Sequence, residues 1–146
     1  MAYRFATQQI HAGQPNDPGT GAVAFPIYQT STFSQEEPGV HKGYCYARTD
    51  HPTRRALEEN LAVLEGAKHG LAYASGMAAI NGVLTLLKAG DHVVSTQDLY
   101  GGAWRIFTRL YTKYGIEFTF VDTTDPETVK GALRPTTKFL WLETPS

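Results

Sequence analysis

The chain has one cysteine, Cys45, in 146 residues. A lone thiol excludes an internal disulfide framework and any zinc cluster built on cysteines. Charge of one sign is also missing. Thirteen basic residues stand against 14 acidic ones, for a formal net charge of −1, which argues against nucleic-acid binding by bulk phosphate neutralisation. No apolar run reaches the roughly 18 residues that a membrane helix needs. The first residues, MAYRFATQQIHAG, lack the apolar stretch of a secretory signal. Neither G-x-G-x-x-G nor G-x-x-x-x-G-K-[ST] occurs, so dinucleotides and nucleoside triphosphates are not indicated. Internal repeats and low-complexity tracts are absent too. The expectation is a soluble cytoplasmic chain, with neither a membrane nor a nucleic acid as partner.

What is present is apolar material. Hydrophobic residues make up 42% and aromatics 12%, enough for a core in a chain of about one domain's length. Residues 1–50 read as an extended arm. Gly13, Gly19, Gly21, Gly39 and Gly43, with Pro15, Pro18, Pro26 and Pro38, oppose a long helix or central strand. The arm still carries Phe25, Ile27, Tyr28 and Phe33, which need a surface to pack on.

From Pro52 onward the punctuation is regular. A helix with Leu57, Leu61 and Leu64 on one face ends near Gly66. GLAYA at 70–74 reads as a strand. Ser75-Gly76-Met77 turns into a helix with Ile80, Leu84 and Leu87 in phase. HVVST at 92–96 is a strand, and Trp104, Phe107, Tyr111 and Tyr114 recur at helical spacing. Strand 116–121, a helix opened by Asp125-Pro126 and strand 138–143 complete the pattern. Strands alternating with helices define an α/β layer with a mostly parallel sheet. The chain stops just after its last strand, where such sheets place ligands, so it is expected to be a piece of a longer protein.

Three passages carry chemistry. Ser75-Gly76-Met77 puts a small turn at a helix start, where backbone N–H groups and the helix dipole favour an anion; a plain strand-to-helix loop is the ordinary alternative. Tyr46-Ala47-Arg48 offers an arginine and a phenol to a phosphate, or is simply an exposed pair. Tyr100-Gly101-Gly102, at the same sheet end, offers an aromatic face with room for a flat ring. The alternative is a tyrosine packed at the mouth of the core. Arg105, a turn further on, could meet an anion or be a solvated charge.

Together these residues describe a planar, phosphate-bearing ligand. The motifs ATQQIHAGQ, PIYQTSTF, YARTDHPTRRALE, YASGMAAI, GDHVVSTQDLYGG and WLETPS resemble, in order and spacing, the pyridoxal-phosphate enzymes of cysteine and methionine metabolism. That family includes cystathionine γ-lyase, cystathionine γ-synthase and O-acetylhomoserine sulfhydrylase. The resemblance implies a fold-type I, aminotransferase-like large domain, with residues 51–146 as its first part. It implies pyridoxal 5′-phosphate as cofactor. Gly76 and Met77 would give backbone donors to its phosphate. Tyr46 and Arg48 would reach the phosphate of a neighbouring subunit, and Tyr100 would stack on the ring and take part in proton transfer. Arg105 would contact substrate, and Glu143 would stand on the strand edge near the cofactor. A homotetramer, a dimer of active dimers, follows from the same resemblance, with the arm wrapped on the adjacent subunit.

The implied activity is elimination or replacement at the γ-carbon of sulfur-bearing or O-acylated amino acids; sulfhydrylation and a non-catalytic interaction module are the alternatives. The family reads Asn where His51 stands and often an acid where Cys45 stands. Gly102 replaces the reactive cysteine of the methionine γ-lyases, which speaks against that subgroup. The cofactor-bearing lysine and the aspartate on the pyridine nitrogen match nothing in this chain, so residues 1–146 alone are expected to be inactive.

Overall fold

Strand β3 (His92–Thr96) is buried at all five positions and lies between two parallel partners, β4 (Glu117–Val121) and β5 (Thr137–Trp141), in the order β4-β3-β5. This computed structural model describes residues 3–145. The chain divides into two compact units, Met1–Ala72 and Tyr73–Ser146. The α/β class and the parallel sheet read from the sequence are both present.

In the second unit, every strand-to-strand connection passes through a helix, as parallel pairing requires. Helix α3 (Gly76–Leu84) leads to β3, α4 (Gly101–Arg109) and a 3-10 turn (Tyr111–Tyr114) lead to β4, and α5 (Pro126–Ala132) leads to β5. Two helix starts are capped by side chains, the one at Asp125 as expected. Ser75 Oγ accepts the Ala78 N–H at 3.1 Å, and the Asp125 carboxylate accepts the Glu127 N–H at 3.0 Å. Leu84, Val93, Ala103, Phe107, Tyr111 and Ile116 form the core. Phe107 stacks on Phe118 with centroids 4.8 Å apart and meets Trp141 edge-on at 5.2 Å. The helical period expected through Tyr114 breaks at Leu110, and the last turn tightens to 3-10 geometry.

In the first unit, α1 (Phe5–His11) packs against α2 (Pro52–Leu64), and β1 (Gln35–Glu37) pairs with β2 (Val40–His41) in a small hairpin. The unit therefore takes in α2 as well as the arm, and the arm is not extended throughout. Residues 5–11 are helical because a distant side chain completes their C-terminal end. The buried Asn60 amide donates to the carbonyls of Gln8 at 3.1 Å and Ala12 at 2.8 Å. Gly13 then turns the chain with φ +68°, and a Cβ there would sit 2.7 Å from Asn60 N and 2.9 Å from Ala56 O. Only glycine meets both demands.

That packing corrects two expectations. The buried positions of α2 are Pro52, Ala56, Asn60 and Ala62, while Leu57 and Leu61 are 51% and 46% exposed. Close approach of α1 needs small residues, so the leucine face is left open. Residues 70–74 do not form a strand. A side chain at Gly70 would run into the Glu58 carbonyl, and the Ala72 N–H donates to the Glu58 carboxylate at 2.9 Å. The segment is held by side-chain and steric contacts with α2, not by a ladder.

His92 opens β3 fully buried, with Nδ1 2.8 Å from Thr137 Oγ1 on β5 and Nε2 2.8 Å from Thr119 Oγ1 on β4. The ring thus ties the central strand to both neighbours. Burial, with a smaller contribution from the Arg134 charge, pushes its pKa below the ordinary 6.5. The unfolded chain then binds the proton more readily than the fold does. The resulting stability is complete above pH 6.5 and is lost as pH falls toward the lower folded value. Thermal melts should therefore show the midpoint dropping as pH falls through 6.5. His92→Gln, which keeps a donor and an acceptor, should flatten that dependence; an unchanged slope would assign it to other groups.

Candidate cofactor-binding site

In a parallel sheet all the carboxyl ends lie at one edge, and the loops leaving them meet there. The loop after β3 carries Tyr100, and the segment after β5 carries Glu143. The two are joined: Tyr100 N–H donates to Glu143 Oε2 at 2.6 Å, and the Trp141 indole N–H donates to Glu143 Oε1 at 2.9 Å. Both oxygens of the carboxylate are engaged. The negative charge also sits at the start of α4, where the helix dipole favours it.

The Tyr100 side chain is 59% exposed, so the reading of Tyr100 as a core residue is set aside. Gly102 explains its placement. A Cβ at Gly102 would overlap the Tyr100 ring, lying 3.0 Å from its Cζ, and would sit 2.8 Å from Met77 Sδ. The absent side chain lets Met77, from the start of α3, and Tyr100, from the start of α4, close on one point. The spacing of Tyr-Gly-Gly suggested room for a ligand; that its second glycine is where Met77 and Tyr100 meet was not visible without the fold.

At the start of α3, Ser75 satisfies Ala78 and the Ser75 carbonyl accepts from Ala79. The Gly76 and Met77 N–H groups belong to the first turn, which has no intrahelical acceptor. The space around Gly76 is open, with nothing within 4 Å of a Cβ position. Two first-turn amides and a helix dipole suit a tetrahedral anion. Met77, next to Gly76, brings its thioether and the Tyr100 ring to the same point over Gly102.

Tyr46 and Arg48 belong to the first unit and come together there, the guanidinium lying 4.8 Å over the Tyr46 ring. Arg105 is exposed on α4, and its side chain has no hydrogen bond or ion pair with another described residue. His51 does not cap α2 with its side chain; its Nε2 lies 3.2 Å from the Thr30 carbonyl. Among the described residues no cluster of histidine, cysteine or carboxylates could hold a metal ion, and no helix is long and apolar enough to cross a membrane.

Comparison with known proteins now bears on this arrangement. The family described as Cys/Met metabolism PLP-dependent enzyme matches residues 6–146. A probable cystathionine gamma-synthase of Herpetosiphon aurantiacus is 53% identical over 100% of this chain and 46% of its own length. A cystathionine beta-lyase of Coxiella burnetii is 52% identical over 96% of this chain and 36% of its own. The crystal structure of cystathionine gamma-lyase from Lactobacillus plantarum, complexed with L-serine, superposes with a TM-score of 0.91 at 46% identity, over 99% of this chain and 38% of that one. The chain thus belongs to the Cys/Met metabolism family of pyridoxal-phosphate-dependent enzymes, whose members include trans-sulfuration lyases and synthases. It spans less than half the length of the relatives it matches.

The role of Gly102 can be checked directly. Gly102→Ala should push the Tyr100 ring or the Met77 thioether aside, an overpacking of about 1–3 kcal/mol. Affinity for pyridoxal 5′-phosphate should fall about tenfold by spectroscopic titration. Undiminished affinity would separate this contact from cofactor binding.

Proposed function

We propose that this chain forms the phosphate- and ring-binding part of a trans-sulfuration enzyme acting at the γ-carbon of sulfur-bearing or O-acylated amino acids, of the cystathionine γ-lyase or γ-synthase type. The observation that carries the reading is the convergence of Met77 and Tyr100 over Gly102 beside the open amides of α3. The names of the relatives support the reaction class.

In this reading Gly76 and Met77 N–H groups bind the cofactor phosphate, and the Tyr100 ring holds the pyridoxal plane. When bound, pyridoxal 5′-phosphate supplies an electron sink for the substrate's Cα substituents. The Tyr100 hydroxyl, in the same reading, moves a proton at the reacting centre. The Glu143 carboxylate keeps the Tyr100 backbone at its station, so the ring does not drift from the cofactor face. Arg105, exposed and unpaired with described residues, is assigned to the substrate's carboxylate. Tyr46 and Arg48 add a second grip on a phosphate, from a neighbouring subunit. The exposed Leu57 and Leu61 on α2, and Ile27 and Val23 in the arm, support a homo-oligomer in which such surfaces are shared, here proposed as a cytoplasmic homotetramer.

Two measurements test the reading. Tyr100→Phe keeps the aromatic face but loses the hydroxyl, so cofactor affinity should survive while turnover falls about 10²-fold; Tyr100→Ala should lose affinity as well. Product analysis separates the reactions. Cystathionine consumed to cysteine, 2-oxobutanoate and ammonia marks γ-elimination, and cystathionine made from an O-acylated homoserine and cysteine marks γ-replacement. Homocysteine and pyruvate from cystathionine would place the bond cleavage at the β-carbon and overturn the γ assignment.

A further inference from the structure

The turn that carries Arg48 is held from outside itself. Within it, the Tyr46 carbonyl accepts from Thr49 N–H and Asp50 N–H at 3.1 Å each, and from the Thr49 hydroxyl at 2.8 Å. Its entry is pinned to the arm by Ala47 N–H to the Ser31 carbonyl at 2.8 Å and by Phe33 N–H to the Cys45 carbonyl at 3.1 Å. The carbonyls of Ala47 and Thr49 lie one on each side of Arg48. Arg54 takes both. Its Nη1 donates to Ala47 O at 2.7 Å and its Nη2 to Thr49 O at 3.1 Å.

Arg54 is itself fixed. It sits in the first turn of α2, and its Nε lies 3.6 Å from Glu58 Oε1, one helical turn on, where the Glu58 side chain is only 17% exposed. The neighbouring Arg55 is different: it faces outward, pairing loosely with Asp50 and Glu59 at 3.6 and 3.7 Å. Of two adjacent arginines, one is built into the backbone of the turn and the other is a surface charge. A planar fork can span two carbonyls while its third nitrogen faces a carboxylate; a lysine ammonium, a single point, cannot. With the turn tied down this way, the Tyr46 and Arg48 side chains are left exposed, with the guanidinium over the ring.

We infer that Arg54 is a positioning residue: by tying down the carbonyls on both sides of Arg48, it presents Arg48 and Tyr46 to the cofactor phosphate. This rests on the reading above that those two residues serve that phosphate. Arg54 touches no ligand; its effect passes through Arg48.

The test compares affinity for pyridoxal 5′-phosphate with affinity for pyridoxal, which lacks the phosphate, by absorbance titration of the protein in its native assembly. Arg54→Lys should lower the preference for the phosphorylated ligand about tenfold, the weight of one or two hydrogen bonds to a charged group. Arg48→Ala should lower it at least as much. In the Arg48→Ala background, Arg54→Lys should change it no further. Glu58→Gln, which can still accept from Ala72 but loses the charge beside Arg54, should lower the preference about two- to threefold. This milder variant carries the test if Arg54→Lys does not fold. Arg55→Lys should leave the preference unchanged. Full additivity of Arg54→Lys, or of Glu58→Gln, with Arg48→Ala would overturn the inference while leaving Arg48 on the phosphate. An Arg48→Ala variant with unaltered preference would overturn the reading of Arg48 and the inference with it.

Discussion

The parallel pairing of β3 with both neighbours is the constraint from which the site follows. Because β4 and β5 run in the same direction as β3, the loops that follow β3 and β5 leave at one edge. Tyr100 and Glu143 are 43 residues apart in the chain yet meet there at 2.6 Å. The core keeps that edge in place. Val93 of β3, Phe118 of β4 and Phe139 of β5 lie in register on the face toward α3 and α4, and Phe107 fills the layer between. Truncating a ring buried that completely costs about 3–5 kcal/mol, a large share of the marginal stability of a domain. At the opposite edge His92 ties the three strands with two hydroxyl contacts. The strands are thus fixed at both ends, one by a polar clamp and the other by the Glu143 carboxylate.

The first unit solves a different problem, the presentation of polar side chains from a segment with little regular structure. Its turns are completed by residues of α2. Asn60 finishes α1, Thr53 Oγ1 accepts the Tyr28 N–H at 3.0 Å, and Arg54 finishes the turn at Arg48. Small residues at Gly13 and Ala56 allow the approach. The cost is an exposed apolar face on α2, where Leu57 and Leu61 stand open.

Elements whose signals are local were legible in the sequence. β3, β4 and β5, the Asp125 cap and the helix from Pro52 follow from residues that stand next to one another. Elements completed from far away were not. α1 depends on Asn60, 48 residues beyond Ala12, and FATQQIH has no apolar period of its own. GLAYA has strand composition, but Gly70 and Ala72 are committed to Glu58. The leucines of α2 obey a helical period that predicts a buried face, yet α1 chooses the alanine side. For the site, Gly76, Met77 and Tyr100 were readable as a turn before a helix and an aromatic beside glycines. The contact that unites them at Gly102, and the service of Arg54 to Arg48, are properties of the folded backbone.

The central claim is that the open amides of α3 and the ring of Tyr100 form one cofactor site. A crystal structure of the protein with pyridoxal 5′-phosphate tests it most directly. The account predicts the phosphate accepting from the Gly76 and Met77 N–H groups, with the pyridine ring lying against the Tyr100 face. A phosphate bound away from the start of α3, or a pyridine ring out of contact with Tyr100, would contradict it.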